Sequence, residues 1–583
     1  MPDTLSSLYP GAIRPKLASG QANLLRAFQQ AVGRSHVLTA EADTLPYRRG
    51  YRTGDGPVLA VVRPASLVEL WRVAERAVAC GCVLIVQAAN TGLTGGSTPD
   101  GRYDRPVVLI STLRITNFWL IQDNRQVVCL PGTTLDKLES ALKQHGREPH
   151  SVIGSSCLGA SVIGGICNNS GGALVQRGPA YTEMALFGQV GADGVLRLVN
   201  HLGIHLGNEP EEILHRLDTG NFLERDVSAD AGRGHDDGYA SRVRDIESDE
   251  PARYNADPGR LFEASGCAGH LVVFAVRVDT FPSEPDPTVF YVGTNNPHTL
   301  ETLRRRILGH LSALPIAGEY MHRDAFDIAD HYGKDTVIAI ERLGTARLPQ
   351  LFAMKTKVDR LSQRFPFLPN GLSDRILQWA AAFFPDHLPR RLRDYRDRFE
   401  HHLMLKVSGA LADETEQLLS GVLAHDDGAF FRCIGSEGSK AFLNRFACAG
   451  AAVRFRAVHP ESVEDIVPLD IALRRNDMDW FERLPPELDK PCLHKLYYGH
   501  FLCHVMHQDY IVRKETDCRA FEERLLEILV RRGARYPAEH NVGTLYQAPP
   551  AQQAHFGRLD PCNCLNPGTG KTSKFIRCDP VVV

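Results

Sequence analysis

The chain of 583 residues is 43% hydrophobic and 23% charged, which excludes a disordered polymer and allows three or four domain-sized cores at about 100–200 residues each. Its 66 basic residues against 69 acidic ones leave a net charge of −3, which removes the global electrostatic case for a nucleic-acid partner. The 14 cysteines form no Cys-x-x-Cys pair, the first residues carry no secretory pattern, and no apolar run approaches the roughly 20 residues that span a bilayer, so reduced thiols, a cytosolic setting and at most peripheral membrane attachment are expected.

In chain order, residues 59–62 and 82–86 read as short buried strands, and 67–78 between them carries apolar residues at helical spacing. Ser66 is the expected N-cap, with Glu69 completing a capping box. The second strand runs into a loop of small residues, 87–97, followed by another apolar run at 107–110. A second bare stretch, 154–172, has six glycines and four serines in nineteen residues, so its backbone can be approached closely. Residues 221–258 turn polar and read as a long surface excursion, and strand character returns at 270–278. Beyond 281, helices and strands alternate, as at 299–314 and 521–532. The stretch 387–406 interleaves Arg390, Arg391, Arg393, Arg396 and Arg398 with aromatic and aliphatic residues.

Loops of small residues at strand ends expose backbone N–H groups that cradle nucleotide phosphates without a lysine. No Gly-x-Gly-x-x-Gly occurs, which disfavours a Rossmann dinucleotide site. The C-terminal Gly568-Thr-Gly-Lys-Thr-Ser573 imitates the end of a P-loop, but Leu565 stands where the first glycine is needed and too little chain follows for the rest of an ATPase site. Alone, these features reach an α/β protein that binds a nucleotide through two glycine-rich loops.

Residues 87–97, Gly132-Thr-Thr-Leu135, the run from Pro149 to Gly172 and the terminal Leu565-Asn-Pro-Gly568 together resemble the FAD-binding half of the vanillyl-alcohol oxidase, or PCMH-type, flavoproteins. Gly164-Gly-Ile-Cys-Asn-Asn-Ser-Gly-Gly-Ala173, Val175-Gln-Arg-Gly-Pro-Ala-Tyr-Thr-Glu183, Arg253-Tyr-Asn-Ala-Asp-Pro258 and Gly318-Glu-Tyr-Met-His-Arg-Asp324 look more closely like the quinone-dependent D-lactate dehydrogenases of bacterial respiratory membranes. The resemblance covers nearly the whole chain. It implies an α+β protein with a two-subdomain PCMH-type FAD-binding domain at 1–279 (core about 54–224), completed by 531–583. An α+β substrate, or cap, domain would take 280–321, 399–436 and 461–530. A basic membrane-binding insertion would take 322–398 and 437–460. FAD would be held by Ala88, Ala89, Asn90, Thr91, Gly92, Gly96 and Ser97, with Gly154, Ser161, Gly171 and Val273 around the remainder. The first loop has neither His nor Cys to tether a flavin, so the FAD is expected to be non-covalent.

Tyr498-Gly-His500 followed by His507, and Ala538-Glu-His-Asn541, are spaced so that the histidines share a helix face or flank a loop and reach one ion with a carboxylate. The resemblance implies His500, His507 and Glu539 as ligands of a divalent ion such as zinc, and His540 as the base. The sequence departs from the family pattern at Leu502-Cys-His-Val505 and at Asn541. Oxidising a 2-hydroxyacid needs a base at the hydroxyl and a cation at the carboxylate. His540, with an ordinary pKa of about 6.5, suits the first role, and Arg474 the second, since a guanidinium grips a carboxylate through two parallel hydrogen bonds; Arg475 is the neighbouring alternative.

The resemblance implies D-lactate as substrate and a membrane quinone as acceptor. The protein would dock peripherally on the cytoplasmic side of the bacterial inner membrane, with the arginines of 387–406 meeting an anionic lipid surface; a solvated, ion-paired helix is the alternative there. Two functional rivals stay open: the same fold acting on glycolate or 2-hydroxyglutarate, and a nucleotide-binding scaffold without redox activity.

Overall fold

In the computed structural model, residues 14–50, 52–150, 159–343 and 371–578 are described, with Lys355 and Val358 between the last two blocks. The N-terminal layer is a strand–helix–strand unit, as the apolar runs predict. Strands Ala60–Val62, Val107–Ser111 and Val83–Gln87 lie parallel in that spatial order, with Val37–Leu38 antiparallel at one edge. Helix Leu67–Ala79 is capped by Ser66, whose Oγ accepts from the backbone N–H of Glu69 at 3.1 Å. The capping box differs by one residue from expectation, because the Glu69 carboxylate accepts from Ala65 N at 2.7 Å rather than from the cap residue itself. The chain end closes this layer: Leu84 N donates to Cys564 O and Asn566 N donates to Leu84 O, both at 2.9 Å.

A second, antiparallel sheet follows the order Phe118–Ile121, Gln126–Cys129, Val272–Pro282, Met184–Val190, Leu196–Asn200, with Arg147–Pro149 on the far end of the long strand. Strands buried on both faces explain why Val272 to Val278 reads as continuous hydrophobicity rather than alternation.

The third sheet has seven antiparallel strands, ordered Gly428–Arg432, Thr288–Thr294, His401–Val407, Ala317–His322, Cys492–His500, Val505–Arg513, Val463–Ala472. One face packs on Leu300, Leu303, Ile307 and Leu419 of helices Pro297–His310 and Ala412–Leu423. The other packs on helices Arg323–Tyr332 and Glu437–Val458, where Ala447, Ala451 and Ala452 let the backbones approach closely.

Two expectations are corrected. The polar stretch 221–258 is not simply a surface excursion: Tyr239 and Val243 of helix Tyr239–Arg244 join the core, and Arg253 and Asn255 are buried. Its charges are paired internally, as where Arg242 bonds Asp236, which composition does not reveal. Nor are all thiols reduced, since Cys562 and Cys578 form a disulfide that holds the C-terminal tail against the Gly191–Ala192 turn of the second sheet. Sixteen residues of sequence separation hid this pair from a search for closely spaced cysteines. Among the described residues no helix is long and apolar enough to cross a membrane.

Candidate active site

Strand Val83–Gln87 delivers the chain into the first bare loop, and side chains pin that loop from behind. Gln87 Nε2 donates to Ser97 O at 2.7 Å and Tyr47 O at 2.9 Å, Asn90 Nδ2 donates to Arg49 O at 2.9 Å, and Ser97 Oγ donates to Asn90 Oδ1 at 3.1 Å. Asn90 takes a left-handed φ of 54°. The backbone N–H groups of Ala88, Ala89, Asn90, Thr91 and Gly92 make no hydrogen bond to any described residue. A Cβ placed at Gly92 would meet nothing within 4 Å. A preformed row of free donors over open space fits a pyrophosphate, so this observation supports FAD at the loop.

The remaining cofactor candidates surround the same region. Ser161 caps helix Val162–Cys167 through its side chain, Val273 lies on the long strand of the second sheet, and Gly154 lies outside the described residues. Asn566 Nδ2 bridges the two subdomains by donating to Gly96 O and Ala268 O, each at 2.8 Å. Gly96 and Gly171 touch the other half of the site: a Cβ would come within 2.1 Å of Asn541 Nδ2 at the first and 2.2 Å of Glu539 Oε1 at the second. Only glycine allows these approaches.

The histidines converge on one face of the seven-stranded sheet. His500 ends one strand and His507 lies on the next, joined by the tight turn Phe501–Cys503, with His504 in the left-handed region. They therefore flank a loop rather than share a helix face. Cross-strand register places Glu319 opposite His500, and His507 opposite both Tyr498 and Asp470, so these side chains share that face. Glu539 and His540 arrive from the segment after helix Cys518–Arg531, and Asp470 Oδ2 accepts from both of their backbone N–H groups at 2.8 and 3.0 Å.

His500 Nδ1 lies 2.6 Å from Glu319 Oε1 and its Nε2 lies 3.1 Å from Glu539 Oε2. His507 Nε2 is 3.9 Å from the same Glu539 oxygen. One ligand atom from each of His500, His507 and Glu539 falls within 4.8 Å of the others, a two-histidine, one-carboxylate donor set that fits a divalent ion. Arg253 bonds Glu539 on its other oxygen and donates to Gly172 O at 2.6 Å.

Burial opposes charge at every one of these groups, and the neighbours decide the outcome. For His500 burial is outweighed by Glu319 and Glu539, and its pKa is pushed up to about 10. For His507 burial prevails and lowers it to about 4. Burial also lowers His540, but Asp470, with its Oδ2 3.1 Å from His540 Nδ1, more than offsets it and the pKa ends above the ordinary value. Glu539 is held well below the carboxylate range, because His500 and Arg253 overcome its burial.

Arg474 is placed elsewhere. Its carbonyl accepts from His504 Nδ1 at 3.1 Å and its side chain runs over Gly533, with no contact to His500, His507 or His540 among the described residues. Arg475 braces the 245–250 loop, donating to Glu250 O at 2.9 Å and Ser248 Oγ at 2.6 Å. Sequence reasoning did not single out Asp470, Glu319 or Arg253. Glu319 and Arg253 lie inside quoted motifs; a two-residue strand period groups alternate residues of 469–472 and 317–322, but only the cross-strand register puts Asp470 and Glu319 on the face of the histidines.

The FAD binding domain family matches residues 58–187, and the family described as D-lactate dehydrogenase, membrane binding, matches residues 289–577. Among solved structures, p-cresol methylhydroxylase with substrate bound aligns over 95% of this chain and 97% of its own with a TM-score of 0.58 at 10% identity. The 4-ethylphenol oxidase from Gulosibacter chungangensis aligns over the same shares with a TM-score of 0.53 at 13% identity. The fold and its donor-lined loop thus define an FAD-binding flavoprotein of the PCMH type. At the sequence level, the quinone-dependent D-lactate dehydrogenase of Escherichia coli (strain K12) is 56% identical over 94% of this chain and 96% of its own length. That of Haemophilus influenzae is 55% identical over 94% and 98%, and that of Corynebacterium glutamicum 48% over 94% and 96%. The chain belongs to the family of quinone-dependent D-lactate dehydrogenases.

Proposed function

We propose that the protein oxidises D-lactate to pyruvate and passes the electrons to a membrane quinone. The observation that carries this reading is the meeting of the FAD loops with the histidine–carboxylate cluster at Gly171 and Glu539. Bound FAD supplies the acceptor for the C2 hydride. His540 takes the hydroxyl proton on Nε2, since Nδ1 faces Asp470. His500, His507 and Glu539 would hold a divalent ion such as zinc, whose Lewis acidity would lower the pKa of the alcohol. An arginine takes the substrate carboxylate, Arg474 being the sequence candidate. Ala88, Ala89, Asn90, Thr91, Gly92, Gly96, Ser97, Gly154, Ser161, Gly171 and Val273 hold the cofactor non-covalently. The division into FAD-binding, substrate and membrane-binding parts follows the boundaries given above.

An anaerobic visible spectrum with D-lactate, and with L-lactate as control, tests the reaction. Bleaching of oxidised flavin by the D isomer alone is expected. Bleaching by glycolate or 2-hydroxyglutarate, and not by D-lactate, would reassign the substrate.

The membrane partner is an anionic lipid surface on the cytoplasmic side. Arg390 is exposed with its Nε 4.0 Å from Asp394 Oδ1, and Arg391, Arg393 and Arg396 are paired with Glu437, Asp330 and Asp327. Beside them, helix Leu372–Ala381 and the turn after it expose Ile376, Trp379, Phe383 and Phe384. Arginines with acidic neighbours flanking an aromatic patch support docking that combines electrostatic and interfacial contributions.

A further inference from the structure

The carboxylate of D-lactate needs a cation on the wall where the histidines stand, and most arginines near that wall are already engaged. Arg253 serves Glu539 and Gly172 and Arg475 serves the 245–250 loop, while Arg474, whose Nε is also buried without a partner, lies over Gly533 away from His500, His507 and His540. Arg445 differs. It projects from helix Glu437–Val458, which covers the same sheet face that carries His500, His507 and Asp470. Its guanidinium lies 5.0 Å from the ring centre of Tyr498, and Tyr498 precedes His500 by two residues on one strand face. Its Nε is 2.7 Å from Glu319 Oε2, the carboxylate whose other oxygen meets His500.

One ion-pair contact leaves an arginine underused. Nη2 is shut off from solvent with no hydrogen-bond partner, no other bond to the guanidinium is made among the described residues, and the side chain keeps 14% exposure. A buried N–H without a partner is costly, and a guanidinium presents its donors in a planar fork that matches a carboxylate. We infer that Arg445 binds the carboxylate of D-lactate and sets the requirement for an anionic 2-hydroxyacid. The inference rests on the reading of D-lactate as substrate. It also gives a helix expected to face the membrane a residue in the substrate site.

The test compares D-lactate with its methyl ester, which keeps the oxidisable alcohol and lacks the charge. Holoenzymes of the wild type, Arg445→Met and Arg474→Met are assayed for kcat and KM on both, with the flavin spectrum as the check on folding. Wild-type bleaching by D-lactate confirms the substrate reading on its own. Arg445→Met is expected to raise KM for D-lactate and to lower kcat/KM about 100-fold, while the ester changes by less than about 3-fold, so that preference for the acid collapses. Oxalate inhibition should weaken in parallel. Equal losses on acid and ester, or collapse in Arg474→Met instead, would overturn the assignment. So would recovery of D-lactate turnover in the double variant Arg445→Met/Glu319→Gln, because Arg445 would then be only the counter-ion of Glu319.

Discussion

Asp470 organises the histidine wall by accepting three donors at one oxygen. Its Oδ2 takes the backbone N–H groups of Glu539 and His540 and the ring Nδ1 of His540, while Oδ1 stands 3.6 Å from His507 Nδ1. A carboxylate in this position fixes the ring orientation and leaves His540 Nε2 as the basic atom, as in other carboxylate–histidine pairs. Asp470→Asn keeps the shape and removes the charge, so the rate of flavin reduction by D-lactate should fall about 10–100-fold. His540→Ala should fall further, about 10²–10⁴-fold, the usual range for a lost general base. Stopped-flow reduction measures both, and an unchanged rate in His540→Ala would move the base elsewhere.

At the scale of elements, the helix pair Leu372–Ala381 and Glu437–Val458 joins surface to site. Arg454 ties the two, with Nε 3.4 Å from Asp374 Oδ1. The outward helix leaves Trp379 at 69% and Phe383 at 72% exposure, with their rings edge to face at 5.1 Å. Aromatic side chains so exposed suit a bilayer interface, where apolar insertion survives salt and headgroup attraction does not. In vesicle flotation, the double change Trp379→Ser with Phe383→Ser should weaken binding in high salt far more than in low salt. Binding that vanished in high salt for the unaltered protein would leave only the electrostatic contribution.

For the whole molecule, buried neutral histidines set the acid limit. Burial lowers His150 to about 4 and His270, His401 and His402 to about 3. Each binds its proton near pH 6.5 when unfolded and far lower when folded. The unfolded state therefore takes up more protons as pH falls, and stability present above pH 6.5 is lost between there and the folded pKa. At pH 5 the loss is about 2 kcal/mol for each group. His402, fully buried and enclosed by Tyr291 and Phe326, is the clearest case. His402→Phe should show a shallower fall in Tm from pH 6.5 to 5 than the unaltered protein. Parallel profiles would show that His402 does not carry this linkage.

Local chemistry made much of this legible beforehand. The Ser66 cap, the strand–helix–strand unit and the donor-rich first loop follow from residues close in sequence, where propensity, capping and glycine freedom act directly. The spacing of His500 and His507 allowed a shared ion, and the family resemblance marked Glu539 and His540. Other features depend on partners far along the chain. Asp470 meets Glu539 only because two strands and the returning segment converge, and Arg253 is brought inside from a stretch whose composition reads as surface. The disulfide joins cysteines whose spacing carries no signal. The choice among arginines is of the same kind: charge and residue type are identical in Arg445, Arg474 and Arg475, and only the packing of one helix over one sheet face sets Arg445 beside Glu319 and His500. The elements, the cofactor loop and the supply of titratable groups follow from neighbouring residues, where propensity and local chemistry act. Which of those groups share a charge environment is set only by folding, because electrostatic coupling falls with distance in space and takes no account of distance along the chain.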